Sequence, residues 1–124
     1  MIGDAIVEAI LGTARPDAAR AFYTDTLGLK LIEDNQFGMV LAGQIGFLRL
    51  AKLAAVIPSP NAVLSLVVSD VAAAAAALGM KGVKMERFGF LEQDAAGIWT
   101  APDGTKVAWF RDPDLNLLSI MQRA

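Results

Sequence analysis

The chain has 124 residues, 55% of them hydrophobic, with a net charge of −2, no Cys and no His. That length builds one core and is too short for two conventional domains, and the 11 scattered Lys and Arg residues leave no phosphate-backbone footprint. Without Cys there is no disulfide, thiolate nucleophile or Cys metal site, and without His the commonest general base and transition-metal ligand are missing.

Ile6 to Thr13 alternates weakly and is predicted as a first strand. Pro16 near the first helical turn and Asp17 at its positive end open a helix. Its Ala18, Ala21, Phe22 and Leu27 share one buried face, and Gly28 stands where a C-terminal cap belongs. Extended segments follow at Leu29 to Glu33, Met39 to Ala42 and Phe47 to Leu53, separated by the turn formers Asp34, Asn35 and Gly43. Ala54 to Asn61, interrupted by Pro58 and Pro60, reads as a linker. The pattern then restarts. Val63 to Val68 is a strand, Asp70 a cap, and Val71 to Leu78 a second helix closed by Gly79. Val83 to Phe88, Val107 to Arg111 and Leu117 to Gln122 complete the second half, with Ile98 to Ala101 and the turn Ala101 to Gly104 as an insertion. The restart near residue 62 falls at the midpoint, as in a duplicated unit. The expected fold class is α+β: a single domain over residues 1–124, built from two βαβββ modules (about 1–53 and 62–124) joined by a linker at 54–61. The longest clean apolar run, Val71 to Leu78, is far below the ~20 residues of a membrane span, and the acidic start with Asp4 and Glu8 is unlike a signal peptide. The expectation is a cytoplasmic protein with no nucleic-acid or membrane partner.

The most informative stretch closes the chain. Pro113 presets one turn position, and Asp114 and Asn116 bond their own backbone or take φ > 0, so two apolar runs flank a turn with a mechanism. The run Ala108-Trp109-Phe110-Arg111-Asp112-Pro113-Asp114-Leu115-Asn116-Leu117-Leu118 resembles the closing hairpin of the vicinal oxygen chelate superfamily, which holds the glyoxalases, bleomycin-resistance proteins and extradiol dioxygenases. The family's turn usually reads Asp-Pro-Asp-Gly-Asn. Leu115 stands here in place of the Gly, with Asn116 able to take φ > 0 if the loop shifts by one. Ala21-Phe22-Tyr23-Thr24-Asp25-Thr26-Leu27-Gly28-Leu29 is similar to the family's first helix and its exit, usually Phe-Tyr followed by Leu-Gly-Leu. The resemblance covers nearly the whole chain and implies a curled mixed sheet around a cleft.

It also implies a divalent metal held by four side chains, usually His, Glu or Gln, on the opening and closing strands of the modules. Those positions fall on Glu8, Arg49 (to within a residue or two), Val63 and Ser119. Val63 offers no lone pair, Arg49 repels a cation and Ser119 is a weak neutral ligand, so the expectation is a lost metal site and no cofactor. Glu8 and Arg49 would instead meet in the cleft as an ion pair. In-phase alternation turns Ile6, Ile10, Phe47, Ala51, Ser65, Val67, Leu117 and Met121 toward the cleft, with Trp109 beside them. The out-of-phase Leu11, Leu48, Leu50, Leu64, Leu66, Leu118 and Ile120 go under the helices. Trp99, Trp109, Phe88 and Phe90 are stacking surfaces for a planar or cationic ligand. The candidate ligand-binding set is Glu8, Arg49, Phe47, Ser65, Trp99, Trp109, Ser119 and Met121, with no metal ligand.

Plainer roles stand beside these. Glu8 and Arg49 also read as solvated charges, Trp109 as core, Trp99 as a dimer contact, and Tyr23 as structural. Asp112 and Asp114 shape the turn, and Ala72 to Ala77 make a thin helix. Two functions follow from the resemblance. The first is metal-independent, bleomycin-resistance-like binding of a small apolar or aromatic molecule by a homodimer. The second is a glyoxalase-like lyase or isomerase, or a dioxygenase, with Glu8 as base or residual metal ligand. A third reading is an interaction module whose cleft is unused.

Overall fold

β1 (Glu8–Thr13) begins two residues later than the alternation from Ile6 predicts, in a computed structural model that describes residues 1–124. The chain divides into two units, Met1–Ile57 and Pro58–Ala124, with the division inside the Pro-containing stretch 54–61.

In the first unit β1 is followed by α1 (Pro16–Ala21), a wide π turn (Phe22–Thr26), β2 (Lys30–Asp34), β3 (Gly38–Ala42) and β4 (Phe47–Lys52). The sheet runs β1-β4-β3-β2, with β1 and β4 parallel and the other pairs antiparallel. Pro16 does open α1, where its missing N–H costs nothing. The α-helix does not reach Leu27 as expected. Thr24 Oγ1 donates to the Arg20 carbonyl at 2.7 Å, competing with the backbone N–H for that acceptor and loosening the ladder. The Leu27 N–H therefore reaches back to the Phe22 oxygen at 2.9 Å, and the Leu29 N–H to the Tyr23 oxygen at 3.0 Å. Gly28 makes the exit possible at φ +77. Tyr23 and Ala19 are fully buried with Leu11, Met39, Leu41, Leu48 and Leu50. The first residue of β3 is a glycine, and any Cβ there would lie 2.6 Å from the Leu50 carbonyl oxygen.

The second unit repeats the plan: β5 (Leu64–Val67), α2 (Val71–Met80), β6 (Trp99–Thr100), β7 (Lys106–Arg111) and β8 (Leu117–Gln122). The sheet order is β5-β8-β7-β6, with β5 and β8 parallel. Asp70 caps α2 by accepting from the Ala73 N–H at 3.0 Å, and Val71, Ala75 and Leu78 form the buried stripe. Gly79 does not close this helix, which runs one residue further. Gly82 takes φ +87 instead, and the Val83 N–H returns to the Leu78 oxygen at 3.0 Å. Val83 to Phe88 is not a strand, contrary to expectation. The Gln93 side chain captures the backbone groups that a ladder would use, accepting from the Phe88 N–H and donating to the Glu86 and Gly97 carbonyls at 2.8 to 2.9 Å. β6, expected as an insertion, consequently takes the edge place that β2 holds in the first unit. Leu118, Ile120, Ala108 and Phe110 are buried, while Leu64 and Leu66 are only half-buried.

In the β7–β8 turn the Asp112 carboxylate accepts from the Asp114 N–H, the Asn116 N–H and the Asn116 side-chain amide, each at 2.9 Å. The Asp112 N–H donates to the Asn116 oxygen at 3.0 Å. These bonds lock the register, so the loop does not shift to put Asn116 at positive φ. Leu115 itself takes φ +69.

Candidate functional site

The register of the first sheet pairs Glu8 with Phe47, Ile10 with Arg49 and Val40 with Arg49. Partners across a sheet share a face, so these side chains stand opposite the face that carries Leu11, Leu48 and Leu50. Ile10 is 66% exposed and Phe47 37%, giving this open face an apolar character. On it Arg49 Nε meets Glu8 Oε2 at 3.1 Å, with the two side chains 39% and 31% exposed. The expected Glu8–Arg49 pair thus forms within one unit. A pair this exposed contributes little to stability.

In the second sheet Ser65, Ser119 and Trp109 form one rung, and Val67, Met121, Val107 and Trp99 the next. All of these share a face, as alternation requires. Ser119 is buried at 4% exposure, and its Oγ donates to the Leu64 carbonyl at 3.5 Å. Trp109 anchors a chain of rings: Phe88 lies edge-on to it at 5.4 Å, Trp99 tilts against it at 6.3 Å, and Phe90 extends from Phe88 at 5.7 Å. Phe90 is 83% exposed. The Glu86 N–H donates to the Trp109 oxygen at 2.7 Å, and Glu86 Oε1 holds Arg111 Nε at 2.8 Å, fastening the loop to β7. Sequence reading singled out the four rings but missed Gln93, Glu86 and Arg111. The in-phase position of Arg111 two residues after Trp109 was its only signal, and Gln93 had none.

The two registers match. Arg49 pairs with Ile10 and Ser119 with Ser65, while Glu8 and Val63 each lie two residues before those partners. Arg49 and Ser119 therefore stand on equivalent rungs of the two sheets. The Val63 N–H donates to the Leu117 oxygen at 2.9 Å, continuing the β5–β8 pairing. At these positions the first unit offers a carboxylate already paired with a guanidinium, and the second an aliphatic side chain and a hydroxyl. No three His, Cys, Asp or Glu side chains are grouped so that they could hold a metal ion. This donor set does not fit a divalent ion. A shallow depression of about 510 Å³ lies beside α1, around Arg20, Thr24, Asp25 and Leu31, and none of the candidate residues lines it. No helix is long and apolar enough to cross a membrane.

A family model described as the Glyoxalase/Bleomycin resistance protein/Dioxygenase superfamily matches residues 5–120. Among solved structures, a glyoxalase family protein from Bacillus anthracis superposes with a TM-score of 0.77 at 17% identity, covering 98% of this chain and 96% of that one. A lactoylglutathione lyase from Agrobacterium tumefaciens gives 0.74 at 18%, covering 96% and 93%. An antibiotic binding protein from Streptomyces sp. CB03234 gives 0.70 at 21%, covering 98% and 97%. At such identities the likeness is one of fold. No curated protein sequence matches the chain.

Proposed function

The chain belongs to the glyoxalase/bleomycin resistance protein/dioxygenase superfamily, and from that premise we propose that it binds a small, largely apolar or aromatic organic molecule without a metal, as a cytoplasmic homodimer. The observation that carries this reading is the ring series Phe90–Phe88–Trp109–Trp99, whose two tryptophans share a face of the second sheet with Met121 and Ser65. Aromatic walls with few polar groups favour planar ligands, and tryptophan faces attract cations. The unsuitable donor set supports working without a metal. The antibiotic-binding role printed for one structural neighbour makes sequestration a natural form of the activity. Catalysis with Glu8 as base or residual metal ligand has less support, because Arg49 engages that carboxylate.

Two measurements test the reading. Native mass spectrometry and melting with Ni²⁺, Mn²⁺, Fe²⁺ and Zn²⁺ should show no stoichiometric ion and no rise in Tm. A bound ion that raises Tm overturns the metal-free reading. A screen of planar neutral and cationic aromatics followed by tryptophan fluorescence should yield saturable quenching that Trp109→Leu weakens about tenfold, the loss of roughly 1.4 kcal/mol of stacking. Quenching that this substitution leaves unchanged would sink the aromatic site.

A further inference from the structure

We propose that the open face of the first sheet holds an organic carboxylate on Arg49, with Glu8 as the positioning residue; the proposal extends the binding reading above by naming an anionic ligand class. A guanidinium carries five N–H donors in a planar fork. Here Glu8 Oε2 takes only Nε, at 3.1 Å, and the two terminal amino groups make no hydrogen bond. Two other arginines spend their forks differently. Arg111 uses both Nε, on Glu86, and Nη1, on the Leu115 carbonyl, while Arg20 Nη1 is taken by Asp34. Arg49 thus presents the end-on edge whose paired, parallel N–H groups match the two oxygens of a carboxylate.

The surroundings complete the recognition. Glu8 faces the Nε edge, so it holds the guanidinium plane and lowers the entropy lost when the terminal edge engages a ligand. Across the register, Ile10 pairs with Arg49 and Phe47 with Glu8, placing exposed aliphatic and aromatic surface on the face that carries the fork. A carboxylate bound through a ring or branched alkyl group matches this arrangement: the head pairs with Arg49 and the body covers Ile10 and Phe47. A neutral amide of the same shape has one acceptor oxygen and no charge, so it forfeits the second bond and the Coulombic attraction.

The probe is benzoate, with benzamide as its neutral counterpart, followed through the Arg49 Nε–Hε resonance in ¹⁵N-labelled full-length protein. Benzoate is expected to shift that resonance saturably, with a millimolar dissociation constant, and benzamide to leave it in place. Arg49→Lys keeps the charge but not the fork, and is expected to weaken benzoate binding about tenfold, read from the amide resonances of Ile10 and Phe47. Glu8→Gln, whose amide oxygen still accepts from Nε and which removes the like charge beside the ligand, should bind benzoate at least as tightly as the wild type, and Glu8→Ala, which loses that acceptor, several-fold more weakly than Glu8→Gln. Equal binding by the lysine variant, equal shifts from benzamide, or one uniform shift of every arginine resonance overturns the proposal. Both tryptophans belong to the second unit, so the two readings fail separately. Neutral aromatics that quench tryptophan while benzoate leaves Arg49 unmoved defeat the carboxylate site alone. Benzoate at Arg49 without any tryptophan quenching defeats the aromatic site alone.

Discussion

Leu115 takes φ +69 with its side chain 58% exposed, a backbone region that costs a branched residue about 1–2 kcal/mol. Because the exposed leucine returns little packing, Leu115→Gly is expected to stabilise the protein by about 1 kcal/mol after the extra entropy of a glycine in the unfolded chain. A urea midpoint that falls would show that Leu115 makes a contact worth more than its strain. Asp112, in the same turn, is 4% exposed and serves three donors. Asp112→Ala strands those donors in a buried site, so a loss of about 3 kcal/mol is expected in the same titration. The aspartates were legible as turn formers, since Asx chemistry is local. That residue 115 would keep its strained conformation was not legible, because it depends on how many bonds Asp112 makes at once.

Asp34 joins three elements of the first unit. From the end of β2 it accepts from Lys52 of β4 at 2.6 Å and from Arg20 of α1 at 3.0 Å. The Lys52 hydrogen bond, with the charges of Lys52 and Arg20 beside it, holds the Asp34 carboxyl below its ordinary value of 3.8. A carboxylate depressed in the folded state adds stability that is fully present above the unfolded value and is lost as pH falls through the lower folded one. Urea midpoints measured between about pH 5 and pH 2 should therefore decline more steeply for the wild type than for Asp34→Asn. Matching slopes would mean that the cluster adds no pH dependence. Elements of this unit were readable because Pro16, Gly28 and the alternating leucines act locally. The 83–98 segment was not, since a strand pattern in Val83 to Phe88 is overridden by Gln93, whose three bonds reach across residues that no periodicity relates.

Across the whole chain, one topology occurs twice with different chemistry on equivalent rungs: Ile10–Arg49–Val40 in one unit, Ser65–Ser119–Trp109 in the other. Duplication was visible in the restart after the linker, and the substitutions at Val63 and Ser119 were visible as residue types. Which side chains each rung assembles needed the register. Both units also leave large apolar side chains in water. Ile6 and Val7 are 77% and 82% exposed in succession, Ile57 is 95% exposed, and in the second unit Val67 and Phe90 are 53% and 83% exposed. Exposed apolar area of this kind is what a partner surface would cover. A second copy of the chain is the partner that the proposed homodimer supplies. Sedimentation velocity across a range of concentrations is therefore expected to show a dimer, and Val7→Asp or Val67→Asp to shift it toward monomer, because each places a charge where apolar area would be buried. Both variants alter exposed positions, so circular dichroism should stay unchanged and separate lost association from lost fold. A monomer at every concentration, or a dimer indifferent to both aspartates, would mean that these side chains face solvent in the working protein.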